Sequence, residues 1–420
     1  MISAPVPFFL MRLMGLLSVA LLVTGVWFVV DGLTEDGRSD AWIWTGAIMA
    51  LLGLVGRLPI SLLFRKSANP DRLTVMPQGR PERTHGAGGS DLQIETFGRE
   101  SGPTVILTHG WGLDRTVWAS AIKRLSMRYR VVAWDLPGLG ASGRPLDEWW
   151  TLPRMARDLC SVIQTADGAP VVLVGHSIGG MITLQYCRDF PDALGAEVAG
   201  VAIVDSTPRM PLRTMTGAGL WTRLRDPFLK PLMKLETVIS PLTWAMNWTA
   251  YLNGTAHLVV RLTGMGRSPS REAVELFTRL SVKHSPRVQA KGNLAMFGWD
   301  APEVPATIPV PVLSISGSSD RVTLPEAGRS IAEGAPHGEY VEVEGVGHGG
   351  FLEEADVYEE ALDGFVQAAF ENHARMGEAR HADVLARQPD TERLRPAPFD
   401  EDRSFERDDR GAPSSPPAVH

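Results

Sequence analysis

Apolar positions follow three regimes along this chain. Residues 13 to 30, "LMGLLSVALLVTGVWFVV", carry no charge, and Ala41 to Phe64, "AWIWTGAIMALLGLVGRLPISLLF", carry only Arg57. At 1.5 Å per helical residue, each run is about long enough to cross a hydrocarbon core of ~30 Å. The pattern predicts a membrane anchor over residues 1–66, with two transmembrane helices at about 9–30 and 41–64. Trp27, Trp42 and Trp44 lie near the ends that flank the connecting loop, where amphipathic rings favour an interface. A cleaved signal peptide is disfavoured: no small-residue cleavage site follows the first run, and a second apolar run comes at once. A buried core helix is the other reading. The loop "DGLTEDGRSD" holds one positive charge, Arg38, whereas Arg12, Arg65 and Lys66 lie at the opposite ends. The positive-inside rule then places the N-terminus and everything after Phe64 in the cytoplasm.

From about Asp91 to Ala369 short β-branched runs alternate with helix-like segments. The runs include "TVILTHG", "RVVAWDLPG", "PVVLVGHS", "GVAIVDST", "VPVLSISGSSD" and "EYVEVEGVGH". Strands apolar throughout suit a parallel sheet covered on both faces, and the alternation predicts a doubly wound α/β architecture. Residues 208 to about 300 contain no strand pattern and are rich in Met, Leu and Trp. They are expected to form a helical cap, 208–300, that divides the core into 91–207 and 301–371. Segment 67–90 reads as a linker with little structure. Residues 372–420 are charged and proline-rich and are expected to be disordered.

Composition narrows the function. A chain of 420 residues, 44% hydrophobic and 21% charged, can bury a sizeable core. Net charge is −7 with no block of Lys or Arg, which argues against a nucleic-acid partner. Cys160 and Cys187 are too few for a disulfide framework, lack metal-ligand spacing, and read as small buried apolar residues. "NWT" at Asn247 and "NGT" at Asn253 match the glycosylation pattern, which is irrelevant in a cytoplasmic domain.

The chemistry concentrates where strands end. Gly175-His176-Ser177-Ile178-Gly179 fits G-x-S-x-G between a strand and a helix, a sharp turn that exposes a serine hydroxyl. The flanking glycines leave room for neighbouring backbone, and the following helix aims its N-terminal amides at the site. A serine hydroxyl needs a base. His348, in "VEGVGHGGFLEE" after the last strand pattern, is the best candidate. Asp320, in "SISGSSDRVT", is the acid expected to orient it, with Asp205 in "VAIVDST" as rival. His109, His176 and Asp135 read as residues that organise their own turns. The oxyanion donors are expected to be the backbone N–H groups of Ile178 and of Trp111 in "HGWGLD".

Taken together, "HGWG", "DLPGLGAS", "GHSIGG", "GSSDRV" and "GVGHGGFLE" resemble the α/β-hydrolase family in order and spacing, from about Asp91 to Ala369. The resemblance implies an eight-stranded, mostly parallel sheet, a Ser177-Asp320-His348 triad, a packing role for Met181, and no metal or organic cofactor. Serine at the nucleophile position disfavours the family's haloalkane and epoxide reactions. Carboxylic-ester hydrolysis of the esterase or lipase type remains, beside carbon–carbon hydrolysis, cofactor-free peroxidation and acyl transfer. The apolar cap and the membrane hairpin favour a small-molecule apolar ester or lipid as substrate. A non-catalytic, membrane-tethered binding protein is the reading from another class. The sequence leaves self-association open.

Overall fold

The computed structural model describes residues 5–35, 38–65 and 70–387. Residues 375–387, which are helical, belong to a second unit that begins at Arg375; everything else described belongs to the first.

An eight-stranded sheet forms the centre. Its strands are β1 (Arg80–His85), β2 (Asp91–Gly98), β3 (Thr104–Thr108), β4 (Arg130–Trp134), β5 (Val171–His176), β6 (Val198–Val204), β7 (Val312–Gly317) and β8 (Gly338–Val343). Their spatial order is β1-β2-β4-β3-β5-β6-β7-β8. The pairs β1–β2 and β2–β4 are antiparallel and the other five are parallel. Strands β3 to β6 are buried at every position, as their unbroken apolar runs require. Successive side chains still go to opposite faces. Val105, Leu107, Val172 and Val174 join one core, and Ile106, Val132, Leu173 and Ile203 join the other.

Helices cover both faces. The framework helices are α1 (Pro5–Thr34), α2 (Asp40–Val55), α3 (Arg57–Ser61), α4 (Pro70–Thr74), α5 (Ala119–Leu125), α6 (Leu152–Ile163) and α7 (Ile178–Asp189). Between β6 and β7 come α8 (Ala218–Leu224), α9 (Lys230–Val238), α10 (Ser240–Leu252), α11 (Thr255–Gly264), α12 (Arg271–Lys283) and α13 (Pro286–Met296). The chain closes with α14 (Pro325–Gly334), α15 (Gly350–Glu353) and α16 (Ala355–Arg387). Ile122 of α5 and Tyr358 of α16 pack on one sheet face, and Leu159 of α6 and Ile182 of α7 on the other. The six-helix insertion is pinched at its neck, where the Ala301 amide donates to the Pro208 carbonyl at 2.8 Å.

Helices α1 and α2 run as a pair. Gly25 and Gly46 meet so closely that a Cβ on Gly46 would lie 2.7 Å from the Gly25 carbonyl oxygen and 2.6 Å from Phe28 Cβ. Near the turn, Trp42 stacks on Phe28 and donates its indole N–H to Asp31 at 3.1 Å. At its other end α1 lies against the insertion. Arg12 bonds Glu236 and Asn247, Gly15 abuts Met246, and the Ser18 and Thr255 hydroxyls are 3.2 Å apart.

Three expectations are corrected. Segment 67–90, expected as a linker with little structure, holds α4 and edge strand β1. "RPERTH" reads as loop since its side chains are mostly exposed, but β2 pairs with it throughout. The expected second span, 41–64, is not one helix. Helix α2 stops at Val55, and short α3, which contains Pro59, follows Gly56. Among the described residues only the stretch Arg12–Thr34 is a helix long and apolar enough to cross a membrane; α2 is a shorter apolar helix. Finally, residues 372–387 of the expected disordered tail are helical. Ala and Arg, strong helix formers, recur there and no proline interrupts them. The remainder of the tail lies outside the described residues.

Candidate active site

The candidate residues converge at the C-terminal ends of β3, β5, β7 and β8, the edge where open α/β sheets place ligands. Ser177 occupies the turn between β5 and α7 with φ 54° and ψ −119°. A non-glycine residue held at positive φ is strained, and here the surroundings enforce it. The Ser177 amide donates to the Val204 carbonyl at 2.9 Å, and its own carbonyl accepts from the Ser206 hydroxyl at 2.5 Å. A Cβ on Gly175 would collide with the Gly179 backbone, and one on Gly179 with the Thr108 carbonyl. The two motif glycines are thus steric requirements of the turn.

His348 Nε2 accepts the Ser177 hydroxyl at 3.0 Å, and His348 Nδ1–H donates to Asp320 Oδ2 at 2.8 Å. The Asp320 carboxylate also accepts from the Val322 and Thr323 amides and, at 2.8 Å, from the Thr323 hydroxyl. These bonds fix the carboxylate in the orientation that meets the imidazole. His348 and Asp320 are buried, and Ser177 is 9% exposed. Such a relay can raise the nucleophilicity of a hydroxyl and stabilise the imidazolium that forms.

Asp205, the rival acid, follows β6 but bonds elsewhere. It accepts the Gly317 amide at 2.9 Å and the Tyr358 hydroxyl at 3.3 Å. Burial, reinforced by nearby Asp320, pushes its carboxyl well above the usual range, which favours a neutral acid.

The Trp111 and Ile178 amides have no protein acceptor among the described residues. Ile178 begins α7, so its amide lies at a helix N-terminus. The Trp111 ring does a separate job: its indole N–H donates to the Gln289 carbonyl in α13 at 3.0 Å. His109 secures the same loop, donating from Nδ1 to the Gly110 carbonyl and accepting the Leu136 amide at Nε2. Asp135 accepts from the Arg115 guanidinium and from the Ala141 amide.

His176 reaches beyond its own turn, and Glu353, His284 and Lys283 support the site with no local sequence signal. His176 Nε2–H donates to the main-chain carbonyl of His348 at 3.0 Å. Burial first, and His348 second, hold the His176 imidazole well below its ordinary pKa, so it stays neutral. Glu353 accepts the Gly347 amide and, across to the insertion, the Gly266 amide, each at 2.9 Å. His284, at the end of α12, accepts the Gly140 amide at 2.9 Å and donates to the Gly112 or Leu280 carbonyl. Lys283 bonds Asp114 at 2.8 Å. Burial would raise the Asp114 carboxyl, but hydrogen bonds from Lys283 and Thr116 outweigh it and bring it down to about 2.

The two sequons are shut inside the insertion, since Asn247 and Asn253 are buried. The Cys187 thiol is also buried and is pushed up to about 12, which leaves it unreactive. A cavity of about 910 Å³ opens between residues 147–153 and α9 and α13, lined by Trp149, Lys234 and Lys291, away from Ser177.

Comparison with known proteins agrees with this layout. A family model described as "Alpha/beta hydrolase family" matches residues 105–361. A pimeloyl-[acyl-carrier protein] methyl ester esterase of Xanthomonas campestris pv. campestris is 29% identical over 281 residues, 66% of this chain and 99% of that protein. An esterase from Exiguobacterium antarcticum superposes with a TM-score of 0.56 at 22% identity, over 69% of this chain and 100% of its own. A membrane phospholipase A, described as a novel bacterial virulence factor, gives 0.55 at 19% identity over 78% of this chain and 95% of its own. The two structural likenesses establish the fold alone.

Proposed function

Since this chain belongs to the alpha/beta hydrolase family, we propose that it is a membrane-anchored serine hydrolase cleaving carboxylic esters of apolar, lipid-like compounds through an acyl-enzyme. The observation that carries the chemistry is the Ser177–His348–Asp320 relay, with links of 3.0 Å and 2.8 Å. Ser177 Oγ attacks the ester carbonyl while His348 Nε2 takes its proton. The Trp111 and Ile178 amides receive the oxyanion. His348 then protonates the departing alcohol, and the acyl group remains on Ser177. Water, deprotonated by His348, attacks the acyl-enzyme, and the acid leaves as the proton returns to Ser177. Asp320 keeps Nδ1–H in place and offsets the imidazolium charge.

The anchor and the substrate class rest on apolar surface. Leu16, Val23, Trp27 and Val30 of α1, with Trp44 and Leu51 of α2, are exposed, and the hairpin precedes residue 105, where the family match starts. Exposed apolar faces of this extent fit lipid. An anchor keeps the site beside esters dissolved in the bilayer. The charge asymmetry favours a cytoplasmic hydrolase domain.

A fluorophosphonate probe tests the nucleophile: the wild type labels and Ser177→Ala does not. Equal labelling of both removes Ser177 from this role. A second reading takes its support from the Xanthomonas relative, whose name specifies a methyl ester on an acyl-carrier protein. Turnover of carrier-linked methyl ester, with none of a free long-chain ester, favours that reading.

A further inference from the structure

We propose that the outer face of α9 and α10 enters the same membrane leaflet from which the α1–α2 hairpin projects, so the insertion is itself a membrane-contacting element. This rests on the anchored reading above. Helix α1 is bonded to the insertion as far as Ser18, so at most residues 19–34 lie beyond it, and α2 runs from Asp40 to Val55, in contact with α10, before Gly56 meets the Asn253 backbone. Each projecting limb is therefore at most 16 residues long, residues 19–34 on one side and Asp40–Val55 on the other. At 1.5 Å per residue that is about 24 Å. The hydrocarbon core is ~30 Å thick. The turn carries Glu35 and Arg38, and Asp31 and Asp40 lie in the helix ends that adjoin it; these charges favour the far headgroups over the bilayer interior. A hairpin that puts those charges across the bilayer falls about 6 Å short unless its base is sunk below the near surface.

The base is built for that. Leu235, Val238 and Ile239 of α9 and its junction, and Leu242, Trp244 and Trp248 of α10, are all exposed large apolar side chains. They flank Glu236 and Asn247, the residues that bond Arg12, so they surround the point where α1 meets the insertion. On α10 the exposed residues Pro241, Trp244, Ala245 and Trp248 recur at helical spacing on one face, while Thr243, Met246, Asn247 and Ala250 are buried. Exposed Lys234 lies among them on α9, as basic residues do beside phosphate headgroups. An interfacial helix sinks ~5–10 Å, which spans the shortfall. Thinning of the bilayer around the hairpin is the competing solution.

The test uses the full chain, with Cys160→Ala to remove the accessible thiol, in vesicles of phosphatidylcholine and phosphatidylglycerol. Spin labels are placed singly at Val238→Cys, at Val23→Cys on the hairpin and at Leu146→Cys on the core, and their collisions with oxygen and with a water-soluble nickel complex are compared. Positions 23 and 238 are expected to favour oxygen, and 146 the nickel complex. A water-like label at 238 beside a buried one at 23 overturns this inference and leaves the anchor standing. Water-like labels at both overturn the anchor as well. As a second readout, Val238→Glu with Leu242→Glu is expected to lower the ratio of turnover on vesicle-dissolved ester to turnover on soluble ester about tenfold; an unchanged ratio counts against the proposal.

Discussion

The imidazole of His176 donates to the backbone carbonyl of His348 at 3.0 Å, so the residue that precedes Ser177 holds the main chain of the imidazole that meets its hydroxyl. The ring is clasped by Phe351, with centroids 4.5 Å apart, and by Trp118 at 6.5 Å. His176→Ala removes the donor and opens a space under the His348 turn. Its kcat is expected to fall about 10²-fold, the scale of a 1 Å misplacement, with KM little changed. His176→Gln keeps a donor and should recover part of the loss. Steady-state kinetics on a soluble ester, with kcat referred to the sites titrated by a fluorophosphonate, distinguish this from a folding defect, and an unaltered kcat in the alanine variant contradicts the assignment.

Asp320 and Asp205 separate by role. Asp320→Asn disturbs the partner of His348 Nδ1 and is expected to lower kcat about 10⁴-fold. Asp205 favours the neutral form, which asparagine mimics, so Asp205→Asn should cost less than about tenfold. A larger loss from Asp205→Asn than from Asp320→Asn reverses the assignment of the acid.

Asp158 in α6 gives a stability signature in pH. It is buried, accepts the Ala87 amide at 2.7 Å, and burial raises its carboxyl from 3.8 to about 6. The folded state therefore holds the proton where the unfolded chain has lost it. Stability falls as pH rises from about 4 to about 6, and the cost is complete above that window, at up to about 3 kcal/mol. Asparagine keeps the acceptor without the charge. Asp158→Asn should gain about 1–3 kcal/mol at pH 7.5 and almost nothing near pH 4, read from denaturation at both values. A gain independent of pH points to another cause.

The contact of Gly25 with Gly46 leaves no volume for a side chain. Gly46→Leu should force α1 and α2 apart and lower the thermal midpoint of the full chain in detergent, at a cost of about 1–3 kcal/mol. Fluorophosphonate labelling at Ser177 should persist, because the relay lies on the sheet. An unchanged midpoint means the two helices do not pair as described.

Much of this site is legible in the sequence because each relay residue follows a strand end and sits in its own turn: Ser177 after β5, Asp320 after β7, His348 after β8. Local patterning marks such positions. It does not mark β1, whose charged side chains on a sheet edge look like loop while β2 supplies their order. Nor does it mark the break at Gly56, which arises where the backbone meets Asn253. The fastenings between insertion and core, His284 to Gly140 and Glu353 to Gly266, join residues 144 and 87 positions apart. No short window along the chain contains both ends of such a bond. Asp205 illustrates the converse: its strand-end position suits an acid, and only its buried partners show that it faces Tyr358.

The junction at Pro208 and Ala301 has an evolutionary and practical consequence. An excursion that leaves and re-enters a scaffold at one bonded point is a cassette. Under the proposed reading, exchange of that cassette between relatives would alter which ester reaches Ser177 while the relay on the sheet stays as it is. Grafts that preserve the junction, with its donor at 301 and its acceptor at 208, offer a direct route to new selectivity on an old engine.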